Sequence, residues 1–329
     1  MRWRGAVWWL LLVATLGPAL LLTALRSTDP SPGWAVQAVA FTPVALPLYA
    51  AALLLLLGRA LTGGRSGRRG PAVVAALVVL GLGGLHAWWW SPLVAGTPPD
   101  AGDGARVTVM TANLLKGRAD GAEVVRAAVD NDVDVLVLEE VTDDALADME
   151  RAGLDELLPE RIGETGASID GTMVLSRAPL GEATAADTFT QTWGVEVDLG
   201  AATVRLLAVH PAAPVDPERW HADLDLLRDV ARDADADVVV GDFNATLDHA
   251  PMRRLLDDGY ADAAAETNAG WQPTWPANGL FPVLGVPLPT SVAIDHVLVG
   301  EDVLALDTRT VEIGGTDHLA LVADLVVVG

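Results

Sequence analysis

Three nearly uncharged apolar runs occupy the first ninety residues, at 6–25, 35–57 and 71–90. Each is long enough to cross about 30 Å of hydrocarbon as a helix, and a helix satisfies its own backbone hydrogen bonds where no water is available. Residues 1–90 are therefore read as a membrane anchor with three transmembrane helices. These runs also account for a hydrophobic content of 51 %, high for a wholly soluble chain. A cleaved leader is the competing reading of the first run, because Arg2 and Arg4 precede it. The length of that run and the two that follow favour a retained span.

The arginines orient the anchor. Arg2 and Arg4 precede the first run and Arg59, Arg65, Arg68 and Arg69 fill the second loop, whereas the loop between the first two runs holds Arg26 against Asp29. Basic loops stay cytoplasmic, so the amino terminus and second loop are expected there, and the third span carries everything after it outward. The expected location is the cell membrane, multi-pass, with the domain after the third span extracytoplasmic and the lipid bilayer as a partner. Trp8, Trp9, Trp34 and the run Trp88, Trp89, Trp90 suit interfacial belts. His86 is placed near the interface rather than as an intramembrane proton carrier.

Residues 91–105 turn to Pro, Gly, Asp and Ala and read as a flexible linker. The domain at 106–329 is ample for one large core. It holds 41 of the 44 acidic and 14 of the 21 basic side chains, a net charge of −27. Such a field repels polyanions and weighs against nucleic acid as the preferred substrate. A bound divalent cation can invert the local potential, so nucleic acid stays open as a partner. With no cysteine, thiolate metal sites and disulfides are ruled out.

Within this domain strand-like and helical stretches alternate before strands take over. Strands are expected at 106–114, 133–138, 172–176, 193–199, 203–210, 237–241, 291–299, 303–312 and 319–328, and helices at 121–130, 143–152 and 251–256. Asp216 before Pro217 is an N-cap followed by proline at the first helical position, opening an amphipathic helix to about Arg232. The order indicates an α/β domain with helices covering packed sheets. Pattern alone leaves a sandwich and a doubly wound sheet both open.

Polar groups gather where the apolar strands end. Val238, Val239 and Val240 lead into Gly241, Asp242, Phe243 and Asn244, which read alone is either a turn or a site. Similar ends carry Asn113, Glu140, His210, Asp295 and the pair Asp317 and His318. One amide, several carboxylates and no cysteine describe a site for a hard cation, Mg2+ or else Mn2+. Zinc would draw more on histidine.

At these residues the chain resembles the endonuclease/exonuclease/phosphatase superfamily, from about Arg106 to the carboxyl terminus. The resemblance implies a four-layered α/β sandwich, two packed β-sheets flanked by helices, and a Mg-dependent phosphoesterase. It implies Glu140 as the principal metal ligand with Asn113 and Asp317 nearby. It further implies that Asp242 and Asn244 position water and phosphate, that His318 donates to the phosphoryl oxygens oriented by Asp295, and that His210 makes a second phosphate contact. Where the family commonly has Leu-Gln-Glu-Val, this chain has Glu139, expected behind the metal ligands rather than among them.

The three spans and outward domain also resemble membrane-tethered bacterial members, the VanJ-type proteins associated with teicoplanin resistance. That likeness is one of architecture. It implies a phosphorylated small-molecule or lipid-linked substrate such as a polyprenyl pyrophosphate, and antibiotic resistance as the setting. An extracytoplasmic nuclease and a catalytically silent sensor of a phosphorylated ligand are the alternatives. Trp271, Trp275 and the apolar stretch 280–288 are read either as a loop touching an acyl or prenyl chain or as packing on their own domain.

Overall fold

The computed structural model describes residues 2–62, 69–96, 98–99 and 102–328. Arg65 and Arg68 of the basic loop, and Thr97, Asp100 and Ala101 of the linker, lie outside the described residues. Contacts divide the chain into two compact units, Met1–Pro92 with Asp248–Ala250, and Leu93–Leu247 with Pro251–Gly329.

In the first unit three helices are long and apolar enough to cross a membrane, over Gly5–Arg26, Thr42–Thr62 and Gly70–Trp90. The second span starts later than expected. A separate helix at Gly33–Val39 is followed by a tight turn at Thr42–Val44 before the helix Ala45–Thr62. Pro43, which lacks an N–H, stands in that turn, so one continuous helix from Ala35 is interrupted there. The helices pack through small residues, Ala19, Ala45, Ala52 and Ala76, which let backbones approach closely. His86 is buried in this unit, its Nε2 2.9 Å from Thr23 Oγ1, itself 2.6 Å from the Tyr49 hydroxyl.

The second unit is built on fourteen strands among the described residues. In chain order they are β1 (Ala105–Asn113), β2 (Val135–Glu139), β3 (Glu160–Glu164), β4 (Thr172–Ser176), β5 (Thr184–Ala186), β6 (Thr192–Asp198), β7 (Thr203–Val209), β8 (Val238–Asp242), β9 (Ala261–Asp262), β10 (Pro282–Val283), β11 (Val286–Pro287), β12 (Asp295–Val299), β13 (Val303–Glu312) and β14 (Leu319–Val327). One sheet runs β13-β14-β1-β2-β4-β3 and the other β5-β6-β7-β8-β12-β9, while β10 and β11 form a separate hairpin. The pairs β1/β2 and β7/β8 are parallel and their other neighbours antiparallel.

This is the four-layered sandwich, and side-chain alternation explains it. Val135 and Val137 point inward to meet Val238, Val240, Val297 and Leu206 of the opposite sheet in one core. Leu136 and Leu138 point outward to meet Val124 and Ala128 of the helix Gly121–Asp130 and Met149 of the helix Asp143–Arg151. Both faces of β2 are therefore covered, which is why it reads as an unbroken apolar run. The helix at Pro217–Asp233 begins as expected, Asp216 accepting from Arg219 N. The short strands β3, β5 and β9 escape the pattern because they are edge strands with little apolar alternation. β12 is shorter than the 291–299 expected, because Thr274 Oγ1 takes the N–H groups of Ile294 and Asp295.

Candidate active site at the converging strand ends

Parallel pairing puts the ends of β1 and β2 side by side in one sheet, with Asn113 opposite Glu139. In the other sheet β7 and β8 end together, and antiparallel β12 begins there, with Asp295 opposite Asp242. His318 stands just ahead of β14, antiparallel to β1, and so reaches the same edge. The inward faces that are valine at depth become polar at this edge: Val137 gives way to Glu139, Val240 to Asp242, Val297 to Asp295, and Ala208 to His210.

Asn113 links the two sheets, its Nδ2 donating to Asp242 Oδ2 at 3.0 Å and to Glu140 Oε1 at 3.3 Å, while its Oδ1 accepts from Leu115 N. Asp242 Oδ1 accepts from Asn244 N at 2.7 Å. The Asn244 amide turns aside to Pro211 O, and Trp220 Nε1 anchors its carbonyl at 3.0 Å. His318 Nδ1 lies 2.9 Å from Asp295 Oδ2, which points Nε2 toward Asp242 Oδ2 at 3.7 Å. His210 Nε2 is 3.9 Å from that same oxygen. Asp317 stands on the near side of the ring, its Oδ1 4.0 Å from His318 Nε2 and its Oδ2 accepting from Trp275 Nε1.

Two of these residues hold unusual backbone conformations. Glu140 has φ 55° and Asn244 φ 49°, a left-handed region that costs energy outside glycine and clusters at functional sites. The twist at Glu140 matters because Glu139 continues the inward alternation of β2. Without it, the next carboxylate would face the outer helices. Glu140 instead turns to the rim, where Lys116 N donates to its Oε2 at 2.8 Å. It does not cap the following helix, a task done by Thr142. Gly241, at φ 145°, is required for another reason: a Cβ there would stand 2.0 Å from Val209 O.

Burial sets the electrostatics. It raises Asp242 to about 6, reinforced by the charge of Asp295 and winning over the nearby histidines. Burial alone would lower His318, but the Asp295 and Asp242 charges overcome it and raise the ring to about 10, which favours its protonated form. His210 is lowered by burial. Glu140 is raised by burial, against hydrogen bonds from Asn113 and Lys116. Glu139 is fully buried and raised well above the usual carboxylate range by that burial, with Thr111 Oγ1 donating to its Oε1 at 2.7 Å.

A divalent cation fits this set. Asp242, Asp295 and His318 lie close enough to share an ion, yet His318 Nδ1 is already paired with Asp295 and Asp242 already accepts from Asn113 and Asn244. Glu140 and Asp317 have the better claim. Asp317 Oδ1 is buried without a hydrogen-bond partner among the described residues, and hard carboxylate oxygens are what Mg2+ takes. Asn113 has its oxygen turned to Leu115 N and its NH2 toward the carboxylates.

The structure thus gathers Asn113, Glu140, His210, Asp242, Asp295, Asp317 and His318, while the Asn244 side chain points to Pro211. The sequence reading missed three supports. Thr111 carries a legible signal, lying two residues before Asn113 on the same strand face. Thr316, whose Oγ1 donates to Asn113 O at 2.7 Å, sits beside the Asp317 motif. Trp275 reaches Asp317 from 42 residues away, and no local pattern announces that.

The sequence profile of the Endonuclease/Exonuclease/phosphatase family matches residues 110–318. Among solved structures, an endonuclease/exonuclease/phosphatase from Beutenbergia cavernae is similar at 20 % identity and TM-score 0.52, over 68 % of this chain and 72 % of that one. D. rerio TDP2 complexed with a single-strand DNA product is similar at 14 % identity and TM-score 0.56, over 67 % of this chain and 99 % of that one. An AP endonuclease from Archaeoglobus fulgidus is similar at 14 % identity and TM-score 0.51, over 66 % and 98 %. The comparison with curated proteins gives no match.

Proposed function

We propose that this chain, which belongs to the endonuclease/exonuclease/phosphatase family, is a membrane-anchored phosphoesterase that needs a divalent metal and acts on a lipid-linked phosphate ester or pyrophosphate outside the cytoplasmic membrane. Members of the family are hydrolases of phosphodiester and phosphate bonds, and the three apolar helices support membrane association. The observation that carries the reading is the His318 ring, fixed by Asp295, whose Nε2 lies 3.7 Å from Asp242 and 4.0 Å from Asp317, with Asn113 joining Asp242 to Glu140 beside it.

Each residue then has a task. Asp242, held by Asn244 N and Asn113 Nδ2, orients the attacking water and receives its proton, which a carboxylate raised to about 6 accepts more readily than an ordinary one. His318 Nε2–H donates to a phosphoryl oxygen where negative charge gathers. Asp295 fixes the ring orientation through Nδ1. His210, whose burial disfavours its charged form, offers a second contact to phosphate. A divalent cation, Mg2+ or Mn2+, held by Glu140 and Asp317 beside Asn113, supplies charge neutralisation on the phosphoryl oxygens when bound.

The orientation of the arginines supports an extracytoplasmic site, and the anchor supports a substrate that resides in the membrane. A nuclease is the second reading, favoured by the solved TDP2 complex with DNA product and opposed by the domain charge of −27. A panel of polyprenyl pyrophosphate, a sphingomyelin-like diester, inositol phosphates and plasmid DNA, each with and without magnesium, separates them. Phosphate release from the pyrophosphate supports the first reading, and plasmid nicking with no other turnover replaces it with the second.

A further inference from the structure

The hairpin β10–β11 belongs to neither sheet, and it carries no charged residue from Leu280 to Leu288. Its apolar side chains face outward: Leu284 is 100 % exposed, Val286 64 % and Phe281 46 %. The alternative reading of this stretch, packing on its own domain, is therefore excluded for Leu284 and Val286 at the turn. A contiguous exposed apolar patch of this kind marks a surface that meets something apolar.

The turn itself points the same way. Leu284 and Gly285 both have positive φ, 52° and 80°, the geometry of a two-residue hairpin turn that favours Asn-Gly or Asp-Gly. Leucine at the first position carries a backbone cost that asparagine would largely avoid. The chain keeps leucine where folding favours asparagine and where no packing within the domain repays it.

The hairpin is also fastened to the site. Asn278 Nδ2 donates to Ile313 O and Thr316 O, and Ala277 N donates to Asp317 O at 2.7 Å. The Phe281 ring lies 5.0 Å from the Trp275 ring, whose Nε1 binds Asp317. The loop just before it holds the first residues of this unit: Gly270 N donates to Leu93 O at 2.9 Å, and the Asn268 amide exchanges bonds with both backbone groups of Gly96. Leu93 is three residues past the end of the third apolar span at Trp90.

We infer that the hairpin tip, Phe281 to Val286, is a bilayer-docking element that inserts into the headgroup and acyl boundary of the membrane holding the chain. Its occupant is hydrocarbon rather than a protein, because the residues that tie this unit to a membrane span are held by the adjoining loop. Insertion is apolar rather than electrostatic, since a domain of net charge −27 gains nothing from anionic lipid. Docking would hold the site at the depth where a lipid phosphate lies, a consequence that rests on the hydrolytic reading above, though docking itself does not.

The chain contains no cysteine, so single labels are specific. Leu284→Cys in the full chain, coupled to an environment-sensitive fluorophore and reconstituted into phosphatidylcholine vesicles, is compared with Val129→Cys, 51 % exposed on the helix Gly121–Asp130. Leu284 is wholly exposed, so its replacement breaks no packing. The expected result is blue-shifted emission at 284, quenched several-fold more by nitroxide lipids than at 129 and less by aqueous iodide. Equal iodide access at both positions would overturn the inference, as would shielding from both quenchers, which would point to a protein partner, or lipid quenching seen only with anionic lipid. Neither readout uses turnover: phosphate release with an undocked hairpin removes the docking alone, and docking without release removes the hydrolytic reading alone.

Discussion

The depth and the rim of the sandwich interior are made by the same strands facing the same way, yet they do different work. Val137, Val240, Val297 and Ala208 lock the sheets together, and two residues along each strand stand Glu139, Asp242, Asp295 and His210. Alternation that aims a valine into the core also aims Asp242, Asp295 and His210 toward the cleft, with Glu139 buried just beneath it, so the scaffold that supplies stability positions the chemistry without separate machinery. The two layers should therefore respond oppositely to substitution, the rim losing turnover and the depth losing stability.

The largest separation is expected at the rim. Asp242→Asn keeps the shape of the side chain and the bond to Asn244 N while giving up the one from Asn113 Nδ2, and should lower turnover about 10²- to 10⁴-fold with only a small change in melting temperature. A matching fall in melting temperature would break the comparison. At depth, Leu206→Ala removes a fully buried side chain of the shared core and should cost about 2–5 kcal/mol in denaturant unfolding, while kcat per folded molecule stays near normal. Glu139 lies between the layers. Glu139→Gln keeps the acceptor for Thr111 and should leave both measurements close to wild type, whereas Glu139→Ala opens a void below Gly241 and should lower both. A Gln variant as damaged as the Ala variant would mean that the carboxyl itself takes part.

The smallest effect concerns a buried pair outside the site. His296 Nδ1 is 2.9 Å from Asp262 Oδ2. Burial lowers the ring, Asp262 outweighs it, and the net direction is up from the ordinary 6.5. A group raised in the folded state stabilises fully below its unfolded value and loses that contribution as pH rises through the folded one. The melting-temperature gap between wild type and Asp262→Asn, which keeps an N-cap for Ala265 N, should be widest below pH 6.5 and narrow as pH rises. A gap that widens with pH would reverse the assignment.

Much of this was legible in the sequence because its causes are local. The strand runs of β1, β2, β7, β8 and β14 and the polar residues that end them follow from alternation alone. Asp216 and Pro217 announce their helix. Pattern could not choose between sandwich and open sheet, because that depends on which of two inward faces meet, and a family resemblance filled the gap. Alternation alone could not separate the neighbouring carboxylates; the departure from Leu-Gln-Glu-Val placed Glu139 behind the ligands, and the left-handed turn at Glu140 is what sends that residue to the rim and leaves Glu139 buried beneath. Trp275 and Asp317 meet through tertiary packing across 42 residues, and the exposure of the hairpin 282–287 depends on what the rest of the domain leaves uncovered.

The central claim is that the rim is a metal-dependent centre for phosphoryl hydrolysis whose cationic donor is His318. Phosphate release from a polyprenyl pyrophosphate by the reconstituted full chain, wild type against His318→Ala, with magnesium or with a chelator, tests it most directly. The account predicts magnesium-dependent release by the wild type, its loss on chelation, and a fall of about 10²- to 10³-fold in the variant. Equal release by both proteins, or release untouched by chelation, would contradict it.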